Sequence, residues 1–188
     1  MNHIPPGDLH LYARSFHNSA KVLAGSFRLD ASFLPEADAS PVVFMYRHAL
    51  ELHLKTIVRG EGGHFLKAKP DEISVGKSHA VSWLAQFVMQ IVTALKWEQQ
   101  FQCEGVESFA DFKAAVEAMS SVDPGSYVFR LPVKSGSKES IQEFARRMDA
   151  LLELLDATAD ALAAEWELRK GGIGLDGDGG DGFGPTIQ

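Results

Sequence analysis

Four charged or titratable side chains lie close together on one predicted helix of this sequence. Arg47, Glu51 and Lys55 are four residues apart, so they line one helix face, and Glu51 can pair with both basic neighbours. His48 borders the same row, and His79 follows at the predicted start of another helix, where a neutral imidazole could hold a carboxylate or orient a ligand. The row has two interpretations: a satisfied ion-pair row at the edge of the fold, or a polar pocket between helices that binds a ligand.

A second row of basic side chains lies on the first predicted helix. His10, Arg14, His17 and Lys21 follow a 4-3-4 spacing, which places them on one helix face. Such a row is either a solvated helix face or a track that contacts the phosphates of RNA or another anion.

Signatures of the common catalytic and metal sites are absent from the sequence. It contains no HExxH motif, Walker A loop, GxSxG elbow or dinucleotide-binding glycine fingerprint. The seven histidines lack cysteine partners, and Cys103 is the only cysteine, which excludes an intrachain disulfide and a CxxC redox pair. We therefore predict no metal site and no cofactor.

The composition is that of a globular chain with a mild acidic excess. The 188 residues are 45% hydrophobic and 23% charged, and the net charge is −7. This balance does not favour a nucleic-acid binder unless a local basic patch exists. No stretch is apolar enough to span a bilayer and the N-terminus lacks a signal-peptide pattern, so we predict a cytoplasmic protein without a membrane association.

Hydrophobic periodicity predicts five helices, at about residues 8–28, 41–59, 78–95, 108–122 and 141–170. In the first, we expect Leu9, Tyr12 and Phe16 to belong to the buried face. Pro41 is expected at the first position of the second helix, which is apolar on nearly all sides and therefore central. Ser78 and Ser108 are expected to cap the next two helices, with a polar loop at residues 61–77.

These elements predict an all-α, single-domain bundle of four to five helices with a long C-terminal helix. The domain is expected to cover residues 1–170, followed by a flexible tail rich in glycine and aspartate at 171–188. A helix as long as the last one crosses a whole domain or reaches a partner subunit, so we also expect a homodimer.

Three short segments resemble motifs of the HEPN superfamily of small bacterial helical domains. They are Arg47–Lys55, His79–Leu84 and Ser126–Pro132, which are similar to an AL-E-LLK helix, a GH-L--LW helix start and an S--FRYP segment. The resemblance covers about residues 40–135. It implies a helical bundle, often dimeric, linked to nucleotide or RNA biology. The residues it marks as a ligand-binding centre are Arg47, His48, Glu51, Lys55, His79 and Arg130.

Many members of this superfamily are ribonucleases with an Arg-x(4–6)-His motif near the last core helix, and that motif is missing from its usual place here. Two other pairs have the spacing, Arg47 with His53 and Arg59 with His64. We therefore expect a non-catalytic module associated with nucleotides or RNA in bacterial stress, toxin–antitoxin or defence systems. The alternatives are a divergent, metal-independent endoribonuclease that uses one of these pairs, and a dimeric adaptor that binds a protein partner.

Overall fold

The computed structural model describes residues 6–26, 35–120 and 138–173, and within these ranges the chain is mainly helical. A 3-10 helix, Glu61–Phe65, lies between the second and third α-helices, and the described ranges contain no β-strand beyond an isolated bridge. The prediction of an all-α fold with a long C-terminal helix is confirmed. The six α-helices are α1 (Pro6–Ser26), α2 (Pro35–Arg59), α3 (Glu72–Lys77), α4 (Val81–Leu95), α5 (Phe109–Ser120) and α6 (Lys138–Ile173).

Helix α2 is the central element, as its apolar sequence predicts. It packs against α1, α3, α4, α6 and the 3-10 helix. Its largest buried side chains, Tyr46, Leu50, Leu54 and Ile57, are at most 1% exposed. Burial of apolar side chains of this size stabilises a fold by roughly 1.5–3 kcal/mol each, so α2 supplies much of the core that holds the other helices in place.

The start of α2 differs from the prediction. The helix begins at Pro35, and Pro41 lies inside it rather than at its first position. Proline is tolerated at the first position because the missing N–H has no helical partner there, and Pro35 meets that condition. Pro41 removes one hydrogen bond from the helix interior, and the helix continues through it.

The caps explain where the shorter helices begin. The predicted loop contains α3, which begins after Asp71, whose carboxylate accepts hydrogen bonds at 2.9 Å from the backbone N–H and the hydroxyl of Ser74. Ser78 ends α3 instead of capping α4, so that expectation is wrong. Ser108 does cap α5: its Oγ accepts from the Asp111 N–H at 3.3 Å and donates to the Asp111 carboxylate at 2.7 Å.

Helix α1 is joined to α6 by a row of ion pairs that we call the α1–α6 ladder. His17 Nε2 is 2.9 Å from Asp149 Oδ1, and the shortest pair joins Lys21 to Glu153 at 2.6 Å. The basic row predicted on α1 is therefore paired with an acidic row on α6 rather than free for an anion. The ladder consists of His10, Arg14, His17 and Lys21 on α1 and Asp149, Glu153, Asp156 and Asp160 on α6.

The ladder also accounts for the orientation of α1. The helix buries Leu9, Ala13 and His17, whereas Tyr12, which we expected on the buried face, is 51% exposed. The small side chain of Ala13 lets α1 approach its neighbours closely. A ranking of side chains by apolar character alone favours the burial of Tyr12 over that of Ala13. The predicted buried face of α1 is therefore displaced by about one residue from the observed one.

Replacing Asp156 by asparagine is expected to lower the free energy of unfolding by about 1–2 kcal/mol. The Asp156 carboxylate accepts from His10 at 2.7 Å and from Arg14 at 2.9 Å, and its side chain is 25% exposed. Burial alone raises the pKa of this carboxyl, but the hydrogen bonds from Arg14 and His10 outweigh it and lower the pKa. Urea denaturation measures the change.

The matched control is Asp160→Asn. Asp160 pairs with the same arginine, but its side chain is 61% exposed, and a solvated pair contributes roughly 0.2–1 kcal/mol. Equal effects of the two substitutions would contradict the role given to burial.

Helix α6 ends at Ile173, three residues into the predicted tail. The rest of the tail lies outside the described residues, so its flexibility stays a prediction. Among the helices that the structure describes, none combines the length and apolarity needed to cross a membrane.

Candidate functional site

The structure brings together four of the predicted site residues in a cluster that we call the polar centre: Arg47, Glu51, Lys55 and His79. Lys55 Nζ donates to Glu51 Oε1 at 2.8 Å, and Arg47 Nη1 donates to Glu51 Oε2 at 3.4 Å. His79 Nδ1 lies 3.1 Å and 3.3 Å from the two carboxylate oxygens. Glu51 is therefore the acceptor shared by the other three side chains.

The polar centre also holds the connection between α3 and α4 against α2. Arg47 Nη2 donates to the backbone carbonyl of His79 at 2.9 Å, and Lys55 Nζ donates to that of Gly76 at 3.1 Å. Hydrogen bonds from charged groups are stronger than those between neutral groups. The two cations thus satisfy carbonyls at the end of α3 and at the start of α4.

Burial divides the polar centre into a closed part and an open part. The residues on α2 are almost inaccessible, with exposures of 5% for Arg47, 2% for Glu51 and 5% for Lys55. The His79 side chain is 70% exposed. His79 is therefore the member of the cluster that a ligand can contact without a rearrangement of α2.

The charge of Glu51 is maintained by its partners. Burial alone raises the pKa of this carboxyl, but the hydrogen bond and positive charge of Lys55, together with His79, outweigh burial, so the pKa lies below its usual value. At neutral pH the buried part holds one carboxylate and two cations. Its net charge is positive.

His48 borders the polar centre but contacts aromatic rings. Its ring meets Phe16 edge to face at a centroid distance of 4.3 Å and stacks on Phe44 at 6.1 Å. Burial lowers the pKa of the His48 imidazole, which favours the neutral ring at physiological pH. The structure thus gives His48 a packing role between α1 and α2. Arg130, the remaining predicted ligand-binding residue, lies outside the described residues.

The first candidate catalytic pair, Arg47 and His53, faces different neighbours. Arg47 bonds to Glu51 and to the start of α4, whereas His53 is fully buried between α1 and α6. The His53 ring lies 6.5 Å from the His10 ring and 6.1 Å from the His17 ring. A six-residue separation rotates helical side chains about 120° apart, which is the reason for this divergence.

The second candidate pair, Arg59 and His64, spans the end of α2 and the 3-10 helix. The His64 ring stacks on Trp166 of α6 at a centroid distance of 4.0 Å and an interplanar angle of 1°. Its Nε2 is 3.4 Å from Glu61 Oε2. The imidazole thus has an aromatic partner and a carboxylate partner of its own.

The sequence interpretation missed the cluster around Trp166, which we call the aromatic end: His64, Phe65, Trp166, Arg169 and Lys170. Arg169 Cζ is 4.9 Å from the Phe65 ring centroid, and Lys170 Nζ is 5.3 Å from that of Trp166. Trp166, Arg169 and Lys170 have i, i+3 and i+4 spacing, a signal that could have suggested a joint surface. Nothing in the local sequence predicts that Phe65 joins them.

No metal centre emerges in residues 6–26, 35–120 and 138–173, where no group of three histidine, cysteine, aspartate or glutamate side chains is arranged to hold a metal ion. Comparison of the chain with family models, curated proteins and solved structures gives no significant match. The resemblance to the HEPN superfamily therefore depends on the motifs alone.

Proposed function

We propose that the chain is a HEPN-like, non-catalytic module that associates with nucleotides or RNA in the bacterial cytoplasm, in a stress, toxin–antitoxin or defence system. The observation that carries the proposal is the polar centre, a buried cluster with net positive charge and one exposed member, His79. The segments that resemble motifs of the superfamily, Arg47–Lys55 and His79–Leu84, contain all four of its residues.

The surroundings of His79 suit a phosphate group. Its Nδ1 faces Glu51, so Nε2 is the ring nitrogen left for a ligand. The residue precedes α4, which begins at Val81, and the Ala80 side chain offers no cap to the first turn. Unpaired N–H groups of a first turn and the helix dipole both favour an anion. The buried charge of Arg47 and Lys55 adds to the attraction.

The same geometry supports a binding role rather than catalysis. A ribonuclease of this type needs a histidine that takes a proton from the substrate and an arginine that stabilises the charge on phosphorus. His53 is fully buried, and His64 is engaged by Trp166 and Glu61. The histidine of each predicted pair is therefore either buried or held by partners of its own.

The test is binding of fluorescently labelled single-stranded RNA and of ATP to the full chain, with the integrity of the RNA checked on a denaturing gel. We expect binding without cleavage. His79→Ala should weaken it by roughly five- to tenfold, the equivalent of one hydrogen bond of about 1 kcal/mol. His79→Arg should restore most of it by returning a side chain that donates hydrogen bonds, and Lys113→Ala on α5 should leave it unchanged.

Cleavage of the RNA that disappears with His64→Ala or His53→Ala would contradict the proposal and favour the endoribonuclease alternative. Binding that is unaffected by His79→Ala would remove the polar centre from the site.

A second candidate function, the dimeric adaptor, is favoured by exposed apolar side chains. Leu11, Tyr12 and Val22 on α1 are 65%, 51% and 73% exposed, and Phe44 on α2 is 41% exposed. Surfaces of this kind are often covered by a partner. Sedimentation at micromolar concentration should then give a dimer that Val22→Asp dissociates, and a monomer would count against the adaptor.

A further inference from the structure

The aromatic end combines a stacking platform with exposed cations. His64 and Trp166 are parallel at 4.0 Å, and Phe65 meets Trp166 edge to face at 6.1 Å. Trp166 is half-buried, while the His64 side chain is 39% exposed. Within the described residues the ring of His64 contacts one other ring, that of Trp166, and the exposed part of the imidazole is the place where a further flat ring can be added.

Two groups of cations surround this platform. Arg169 and Lys170 lie over Phe65 and Trp166, and each is paired at 2.8 Å with a glutamate on α6. Lys67 and Lys69 are exposed and form no ion pair within the described ranges. A Cβ on Gly63 would meet Lys69 Cε at 3.3 Å, so the lysine stem passes over the 3-10 helix. Unpaired lysines beside an aromatic platform attract phosphate groups.

A groove continues from the platform along α4. It has a volume of about 720 Å³, and Phe65, Lys67, Gln86, Gln90 and Phe109 are among the residues that line it. Both glutamine side chains are exposed, so their amides can donate and accept hydrogen bonds. Phe65 belongs to both the aromatic end and the groove, which makes the two a continuous surface.

Glycines place this surface close to α2. A Cβ at Gly62 would lie 2.5 Å from the carbonyl oxygen of Ile57, and one at Gly63 would lie 2.6 Å from that of Val58. Only glycine permits this approach, which brings the 3-10 helix under α6. A purely structural contact between α6 and the 3-10 helix explains why Phe65 and Trp166 pack together. It does not account for the exposed face of His64, the unpaired lysines or the groove.

We propose that the aromatic end and the adjoining groove bind single-stranded RNA: a base stacks on the exposed face of His64, Lys67 and Lys69 contact the phosphates, and the next nucleotide enters the groove. Stacking on aromatic side chains beside a cationic track is how proteins hold single strands without reading their sequence. The choice of RNA as the ligand rests on the proposed function, whereas the location is independent of His79.

The experiment measures the anisotropy of a labelled oligoadenylate with the full chain over a range of salt concentrations. His64→Ala is expected to raise the Kd about tenfold, and His64→Phe, which keeps a flat ring, should stay within about twofold of the wild type. Lys67→Glu with Lys69→Glu should weaken binding and make the slope of log K against log salt shallower by roughly 1.4. Lys113→Glu, a single charge reversal on α5, is the control and should have little effect.

The outcomes separate this inference from the proposed function. Binding that is insensitive to His64→Ala and to the double lysine variant, but sensitive to His79→Ala, would overturn the inference and leave the proposed function standing. Equal loss in His64→Ala and His64→Phe would also overturn it, because stacking would not be the cause. ATP that competes fully at equal concentration would point to a single-nucleotide site and contradict a single-strand track. Absence of any binding would overturn both proposals.

Discussion

Replacing Glu51 by glutamine is expected to lower the free energy of unfolding by about 3–5 kcal/mol, the usual cost of removing one partner from a buried ion pair. Glu51 is 2% exposed and is the shared acceptor for Lys55, Arg47 and His79. Glutamine has a similar shape but no charge, so two cations at 5% exposure would keep only neutral acceptors, the glutamine oxygen and the backbone carbonyls. Urea denaturation followed by circular dichroism measures the change.

Glu153→Gln is the matched control for this experiment. Glu153 pairs with Lys21 in the α1–α6 ladder, but its side chain is 63% exposed, and pairs of that kind contribute little. A triple variant, Glu51→Gln with Arg47→Met and Lys55→Met, should recover much of the lost stability because no buried charge remains without a partner. A loss below about 1 kcal/mol for Glu51→Gln would mean that the polar centre is hydrated, contrary to the structure.

A fall in pH is expected to destabilise the fold. Among the histidines with a shifted pKa, His53 is expected to make the largest contribution to this loss of stability. His53 is fully buried, and neither ring nitrogen has a hydrogen-bond partner. Burial lowers its pKa to about 4, although Asp156 opposes the shift and His17, His10 and Arg14 reinforce it. These groups face His53 from α1 and α6.

The direction of the pH effect on stability follows from the proton uptake of the folded and unfolded states. Below a pH of roughly 6.5 the unfolded chain protonates His53, whereas the folded protein keeps it neutral until the pH approaches 4. The unfolded state therefore binds more protons in this window, and stability falls as the pH falls. Between pH 7 and about pH 4.5, His53 alone should lower the free energy of unfolding by about 2–3 kcal/mol.

His53→Leu isolates this contribution. The variant should be as stable as the wild type or more stable at pH 7, since two unpartnered buried nitrogens are removed. It should lose about 2–3 kcal/mol less than the wild type on acidification. His64→Gln, at an exposed histidine, should follow the wild-type pH profile. Parallel profiles for the wild type and His53→Leu would show that His53 is already protonated or hydrated in the folded protein.

Helical periodicity predicted most of the helices of the fold, and the errors of the prediction have physical causes. The apolar positions of α2 predicted the central helix because residues three or four apart lie on the same helix face, and in α2 such apolar positions cover nearly all sides. The start of α2 was wrong because the penalty for Pro41 inside a helix is finite and the surrounding packing outweighs it. Tyr12 was wrongly placed because burial on α1 depends on how closely two helices approach, which favours Ala13.

The polar centre was largely predictable because its residues obey a local rule. Arg47, Glu51 and Lys55 follow the four-residue spacing that pairs charges on a helix. His79 was suggested by its position at a predicted helix start and again by the motif resemblance. The sequence could not show that the row is buried, since an exposed row requires the same residues. The aromatic end was not predictable because Phe65 and Trp166 are distant in the chain and meet only once α6 packs on the 3-10 helix.

Native mass spectrometry of the untagged full chain, purified gently from cells, tests most directly whether this protein is a nucleotide- or RNA-associated module. We predict a folded species that carries a nucleotide or oligonucleotide mass, with the adduct reduced in the His79→Ala variant and the oligonucleotide uncut after prolonged incubation. The charge-state envelope also reports whether the species is a homodimer. A bare protein that, in addition, acquires no mass from added RNA or ATP would contradict the account.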